Sequence, residues 1–187
     1  MQLTLAKMID SFNTNEKKNI INYIAGYKRK SEKISYDEYI KWALVFAPIH
    51  KWYIEAFNYE KEIQKVYKII TEDKETVKRY KSFDEILMYM DTINVDGFGE
   101  LAKYDTALAV GISLNLMPDK VFIHAGPRHV LKYILQNKYG RLVKRLNNSK
   151  QMEYIDIENL PNEFNQFKHN VYLIEDCLCY IYSNYLK

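Results

Sequence analysis

Glycine and proline, the residues that interrupt helices, are concentrated in one stretch of this 187-residue chain. Four of the six glycines (Gly97, Gly99, Gly111 and Gly126) and two of the four prolines (Pro118 and Pro127) fall between Gly97 and Pro127. Outside that stretch little prevents continuous helix, and apolar residues there recur at helical spacing. The stretch itself combines a tight glycine turn that opens a helix with a short apolar run, Val121-Phe-Ile, ending in His-Ala-Gly-Pro. A chain assembles a local site in this way.

Helix signals run from end to end. Thr14 or Asn15 caps a helix with an apolar stripe of Ile20, Ile21, Tyr23, Ile24 and Tyr27 and basic Lys28, Arg29 and Lys30 in its last turn. Ser35 and Glu38 have capping-box spacing and start a helix through Trp42, Val45 and Phe46, which Pro48 kinks or ends. Asn58 to Thr71 carries Ile63, Val66, Tyr67 and Ile70 on one face, and Ser82 with Glu85 forms a second capping box before Ile86 to Met90. Pro127 suits the first turn of a helix over Arg128 to Asn137. A short basic helix follows over Arg141 to Leu146. The last helix runs from about Pro161 or later to Leu186, with Val171, Ile174, Leu178 and Ile181 inward.

Only Val121 to Ile123 resembles a strand, and alone it makes no sheet. The prediction is an all-α fold: one compact multi-helix domain over 1–187 with a central glycine-turn and helix motif. N-terminal helices cover about 1–80, and the motif and C-terminal helices cover about 82–187. The loop Asn147 to Lys150 is the expected flexible point.

No apolar run approaches the roughly 18 residues of a membrane span, and no secretory leader pattern is present. Cys177 and Cys179 point in different directions on a helix, so neither a disulfide nor a shared metal is expected between them. The chain reads as a reduced, cytoplasmic protein, and its Lys, Ile, Asn and Tyr richness as bacterial. The 17 tyrosines read as core volume with a polar tip. No cofactor signature is present.

Two resemblances attach to the central stretch. Gly97-Phe98-Gly99, a helix with Thr106-Ala107, then Pro118 and Val121-Phe-Ile resemble the helix-hairpin-helix element of DNA glycosylases. In that family the hairpin reads Pro-Gly-hydrophobic-Gly with Thr-Ala after it, then a catalytic Asp before an Arg-bearing helix. Arg128 falls at the arginine. Asp96 stands where Pro is usual, a few extra residues precede Thr106, and His124 falls near the expected Asp. The resemblance implies backbone-directed DNA binding through Gly97 and Gly99. The same segment, with Leu160-Pro161 and Ile174-Glu175-Asp176-Cys177-Leu178-Cys179, is also similar to a family of small uncharacterised bacterial proteins, which implies one folded unit and brings no activity to transfer.

Tyr104, Asp105, His124, Arg128 and His129 are the candidate chemical constellation. An Asp–His pair can orient a general base, with Tyr104 beside it, and it can equally be a structural tie. His124 and His129 with one carboxylate have no recognised ligand spacing, so no metal is expected. The charge pattern says more. From Lys120 to Met152 there is no Asp or Glu, while Lys120, Arg128, Lys132, Lys138, Arg141, Lys144, Arg145 and Lys150 fall there. On helices Arg128 and Lys132 share one face, and Arg141, Lys144 and Arg145 another. Tyr133 and Tyr139 interleave with them. Such a block suits a nucleic acid or other polyanion, held by phosphate contacts. With a net charge of only +3 the patch is local, and Glu153, Asp156 and Glu158 could balance it into a solvated face.

Three functions stay open. The first is nucleic-acid binding through Gly97, Gly99, Arg128, Lys132, Arg141, Lys144 and Arg145. The second is an enzyme on a nucleotide, nucleic acid or other anionic substrate, using Asp105, His124 and Tyr104. The third is an interaction module with a protein partner or a second copy of itself.

Overall fold

The computed structural model describes residues 3–46, 59–147, 149 and 151–187. The protein is mostly α-helical, with ten α-helices and one three-stranded sheet among the described residues. It divides into two compact units. The first comprises Met1–Tyr23, Asp119–Asn147 and Met152–Lys187, and the second Ile24–Pro118 and Asn148–Gln151.

The first unit begins with α1 (Leu5–Asn15), capped by the Thr4 hydroxyl, which accepts from Lys7 N–H at 3.4 Å. The helix buries Met8, Ile9 and Phe12. Thr14 and Asn15, expected to open a helix, instead close this one, and the Thr14 hydroxyl donates to the Asp10 carbonyl at 2.9 Å. The next helix, α2 (Lys17–Ser31), buries only Tyr27 of its expected stripe; Ile21 and Tyr23 are exposed. The boundary between the units falls within α2, at Tyr23–Ile24.

In the second unit α3 (Tyr36–Lys41) runs on as a π-helical turn, Trp42–Phe46. It is followed by α4 (Tyr59–Glu72), α5 (Lys74–Val77), α6 (Phe83–Thr92) and α7 (Glu100–Leu114). Pro48 and Asn58 lie outside the described residues. Both capping boxes form: Ser35 with Glu38 opens α3, and Ser82 with Glu85 opens α6. The helix α7 is buried on every side from Leu101 to Ile112, as the axis of a small core must be. Tyr39 reaches it with its ring buried and its hydroxyl donating to the Ala109 carbonyl at 2.9 Å, and the Tyr27 and Trp42 rings, 4.8 Å from each other, pack 6.3 and 6.1 Å from the Tyr39 ring. These rings supply the core volume that the tyrosine content implies.

Two modest predictions follow from the caps. Ser82→Ala removes the acceptor for Glu85 N–H and should cost about 1 kcal/mol in a urea unfolding experiment. At the other box, hydrogen bonds from Ser35 hold the exposed Glu38 carboxyl below the ordinary value of 4.5. A depressed folded pKa means its stabilisation is complete above the unfolded value and is lost as the pH falls through the folded one. Ser35→Ala should therefore lose less stability than the wild type on acidification below about pH 4.5. Parallel stability–pH curves for the two proteins would remove the capping box from the account.

The rest of the first unit surrounds the sheet. Its strands are β1 (Val121–Ile123), β2 (Lys144–Arg145) and β3 (Glu153–Ile155), in the order β1-β3-β2 with both pairs antiparallel. Val121 faces Ile155, Ile123 faces Glu153, and Lys144 and Arg145 face Tyr154 and Glu153. The lone strand expected at Val121 thus has a partner after all. The basic helix expected over Arg141 to Leu146 stops at Leu142 in α9 (Tyr139–Leu142), because Val143 turns extended and feeds β2. The helix α8 (Ala125–Leu135) starts earlier than expected, with His124 at its N-cap and Pro127 in its first turn. After the sheet in sequence, Asn162–Phe167 is 3-10 helix and α10 (Tyr172–Ile181) is the last α-helix, continued by a π-helical turn to Leu186. The final helix, expected from about Pro161 or later, starts at Tyr172, and the residues just after Pro161 form the separate 3-10 segment. Of the loop expected to be flexible, Asn148 and Lys150 lie outside the described residues, while Ser149 is buried and donates to Asp91 at 2.7 Å.

Candidate functional site

The strand β1 delivers His124 in extended conformation to the start of α8, facing the side of α10 that carries Glu175 and Cys179. Glu175 and Cys179 are four residues apart, so their side chains share one helix face. His124 Nε2 is hydrogen-bonded to Glu175 Oε1. The Cys179 thiol donates to that same oxygen at 3.2 Å, and its sulfur lies 3.9 Å from His124 Nε2. The imidazole and carboxylate are 7% and 3% exposed, and Cys179 is half-buried.

Gly126 is what lets these elements meet. A Cβ there would stand 3.3 Å from Cys179 Sγ and 3.7 Å from the Tyr182 ring, tight enough to press on the sulfur. One turn on, the His129 ring stacks on Tyr182 at 5.1 Å and extends the contact between α8 and the end of α10. Cys177 is a separate case. It is wholly buried, burial pushes its thiol well up, and it behaves as an inert core residue.

The residues singled out in sequence are spread over both units. Tyr104 and Asp105 sit in α7 of the second unit, both buried, with Tyr104 edge-on to Phe83 at 5.9 Å. His124 belongs to the first unit, and the carboxylate it meets there is Glu175. Spacing did not single out Glu175 as a site residue, but a signal was available. The inward stripe Val171, Ile174, Leu178 and Ile181 passes through position 175, so an acidic residue there is buried and needs a partner.

Part of the basic block is neutralised within its own unit. Arg128 donates to the Ile123 carbonyl at 3.4 Å and lies 3.5 Å from Glu153. Lys144 pairs with Asp156 at 2.5 Å, and Lys120 sits 3.8 Å from Asp119 and over the Tyr154 ring. Lys132, Lys138, Arg141 and Arg145 are exposed, with no acidic partner among the described residues. Lys132 lies over the Tyr139 ring at 5.6 Å. Nearby, Tyr133 and Ile134 line an open apolar hollow of about 410 Å³ with Leu3, Met8 and Ile181. Lys150 lies outside the described residues.

The glycine turn belongs to the second unit. Gly97 has φ of +73°, a conformation that favours glycine. Gly99 does not share it: it caps α7 at φ −81° and ψ −175°, ordinary extended backbone, and a Cβ there would meet nothing within 4 Å. Of the two turn glycines, Gly97 alone adopts the left-handed conformation. Among the described residues no helix is long and apolar enough to cross a membrane. No protein-family model, curated protein or solved structure matches this chain.

Proposed function

We propose that the protein binds the phosphate backbone of nucleic acid through the face formed by Lys132, Lys138, Arg141 and Arg145. One observation carries this reading: four exposed cations follow one another closely in a segment without any acidic residue, and none has an acidic partner among the described residues. Unpaired surface cations cost little to present and release counterions when they meet phosphate. Exposed Tyr133 adds a ring on which a base can stack. Arg128 and Lys144, engaged with Glu153 and Asp156, contribute field more than contact. Gly97 and Gly99, which the glycosylase resemblance adds to the reading, belong to the second unit, where Gly99 gives α7 no side-chain cap. Cys177 and Cys179, not joined in a disulfide, suit a reducing bacterial cytoplasm.

The test is anisotropy of labelled single- and double-stranded DNA and RNA across a salt series. Binding should weaken linearly on a log–log salt plot. Arg141→Glu with Arg145→Glu should abolish binding at about 0.15 M salt and reduce the slope by about 2. The proposal fails if the wild type binds nothing at low salt, or if the folded double variant binds like the wild type.

A further inference from the structure

We propose that His124 Nε2, Glu175 Oε1 and Cys179 Sγ bind a divalent transition-metal ion of the zinc class. The three atoms lie within 4.8 Å of one another and belong to the same unit. Imidazole nitrogen, carboxylate oxygen and thiolate sulfur are the donors such ions take. With metal–nitrogen and metal–oxygen bonds of about 2.0–2.2 Å and a metal–sulfur bond of about 2.3 Å, tetrahedral donors stand roughly 3.5 Å apart. The observed sulfur–oxygen and sulfur–nitrogen separations, 3.2 and 3.9 Å, bracket that spacing. His124 and Glu175 stand closer, and they part to admit the ion.

Glu175 Oε1 meets both His124 Nε2 and the Cys179 thiol, which gathers the three donor atoms on one point; a bound cation would take the place of the shared protons. The charges also close: carboxylate and thiolate with neutral imidazole carry −2, which a divalent ion cancels, so no net charge is buried. A thiol nucleophile activated by histidine is the competing chemistry. It would use the two ring nitrogens for different partners, one toward sulfur and one toward the orienting carboxylate. Here both partners are on the same nitrogen.

The frame suits a metal as well. Two donors come from one face of α10, and the third is fixed at the junction of β1 and α8, with Gly126 holding that junction against Cys179. Three protein donors leave one tetrahedral position. That position takes water or an incoming ligand.

The experiment uses the full chain, stripped with a chelator and titrated with cobalt(II). The expected result is saturation at one ion per chain, with a thiolate-to-cobalt charge-transfer band and the intense visible absorption of a tetrahedral site, both displaced by zinc. Cys179→Ser should lose the charge-transfer band and bind at least about tenfold more weakly, while Cys177→Ala keeps it. A second measurement needs no variant: zinc should slow alkylation of Cys179 in the wild type at least about tenfold, as read by peptide mass. No charge-transfer band, a band that survives Cys179→Ser, or alkylation unchanged by zinc would each overturn the proposal.

Discussion

Alanine at Gly111 is expected to destabilise the protein by about 3 kcal/mol, while alanine at Gly26 is expected to stabilise it by about 0.5–1 kcal/mol. Both glycines lie inside helices, where alanine normally gains because it loses less backbone entropy on folding. The surroundings reverse the sign at Gly111. Asn115 adopts the left-handed conformation at the end of α7, and the chain folds back so that Leu116 N–H donates to the Gly111 carbonyl at 2.8 Å. The Leu116 carbonyl oxygen then occupies the place a Cβ at Gly111 would take, with Phe83 3.2 Å away on another side. A backbone oxygen cannot rotate aside, so the end of α7 must shift within a close-packed core. At Gly26 the nearest atom is the far end of Arg29, 4.0 Å away and free to move. Urea midpoints for the two variants decide the matter: shifts of the same sign would remove the close approach at Gly111 from the account.

Replacing Lys103 by methionine should cost about 3 kcal/mol, and adding Asp91→Asn should recover a large part of it. Lys103 lies on α7 with only 9% of its side chain exposed, and its ammonium donates to the Asp91 carboxylate at 3.0 Å and to the Asp91 carbonyl at 3.1 Å. The carboxylate is itself 12% exposed and also accepts from the Ser149 hydroxyl. Methionine fills the same space but takes the cation from a buried anion, and a buried charge without its counter-charge is what the fold tolerates least. The double variant removes both charges and leaves an amide oxygen for Ser149. A double-mutant cycle measured by chemical unfolding should show strong coupling; additive losses would mean the pair contributes nothing as a pair.

Helix starts were legible where the capping chemistry is local. Ser35 with Glu38 and Ser82 with Glu85 carry their own hydrogen-bond partners three residues away, and both boxes form as the spacing predicts. The sheet was not legible, for the opposite reason. Strands β2 and β3 are two and three residues long, too short for alternation to register, and Glu153 and Lys144 do not look like strand residues. They are strands because Val121 to Ile123 needs a neighbour, a fact about the fold rather than the segment. Exposure of Ile21 and Tyr23 has the same origin, since periodicity marks an apolar face without saying what covers it. At the candidate site His124 stood out from its setting at the end of an apolar run. That its partner is Glu175 was not legible, because the two are 51 residues apart and belong to different elements.

The units are interleaved along the chain, and this sets the order in which a ribosome can complete them. Nearly all of the second unit, Ile24–Pro118, emerges as one continuous piece and can collapse while translation continues. The first unit has to wait. Its opening helix α1 finds its partners near the other terminus: Phe12 packs on Phe167 at 5.8 Å, Asn13 bonds Gln166, and Ser11 meets the Tyr180 hydroxyl at 2.9 Å. From the time it leaves the exit tunnel until the last helix follows, α1 carries an apolar face with no core to enter. It is a segment that a chaperone could hold until α10 of the same unit follows.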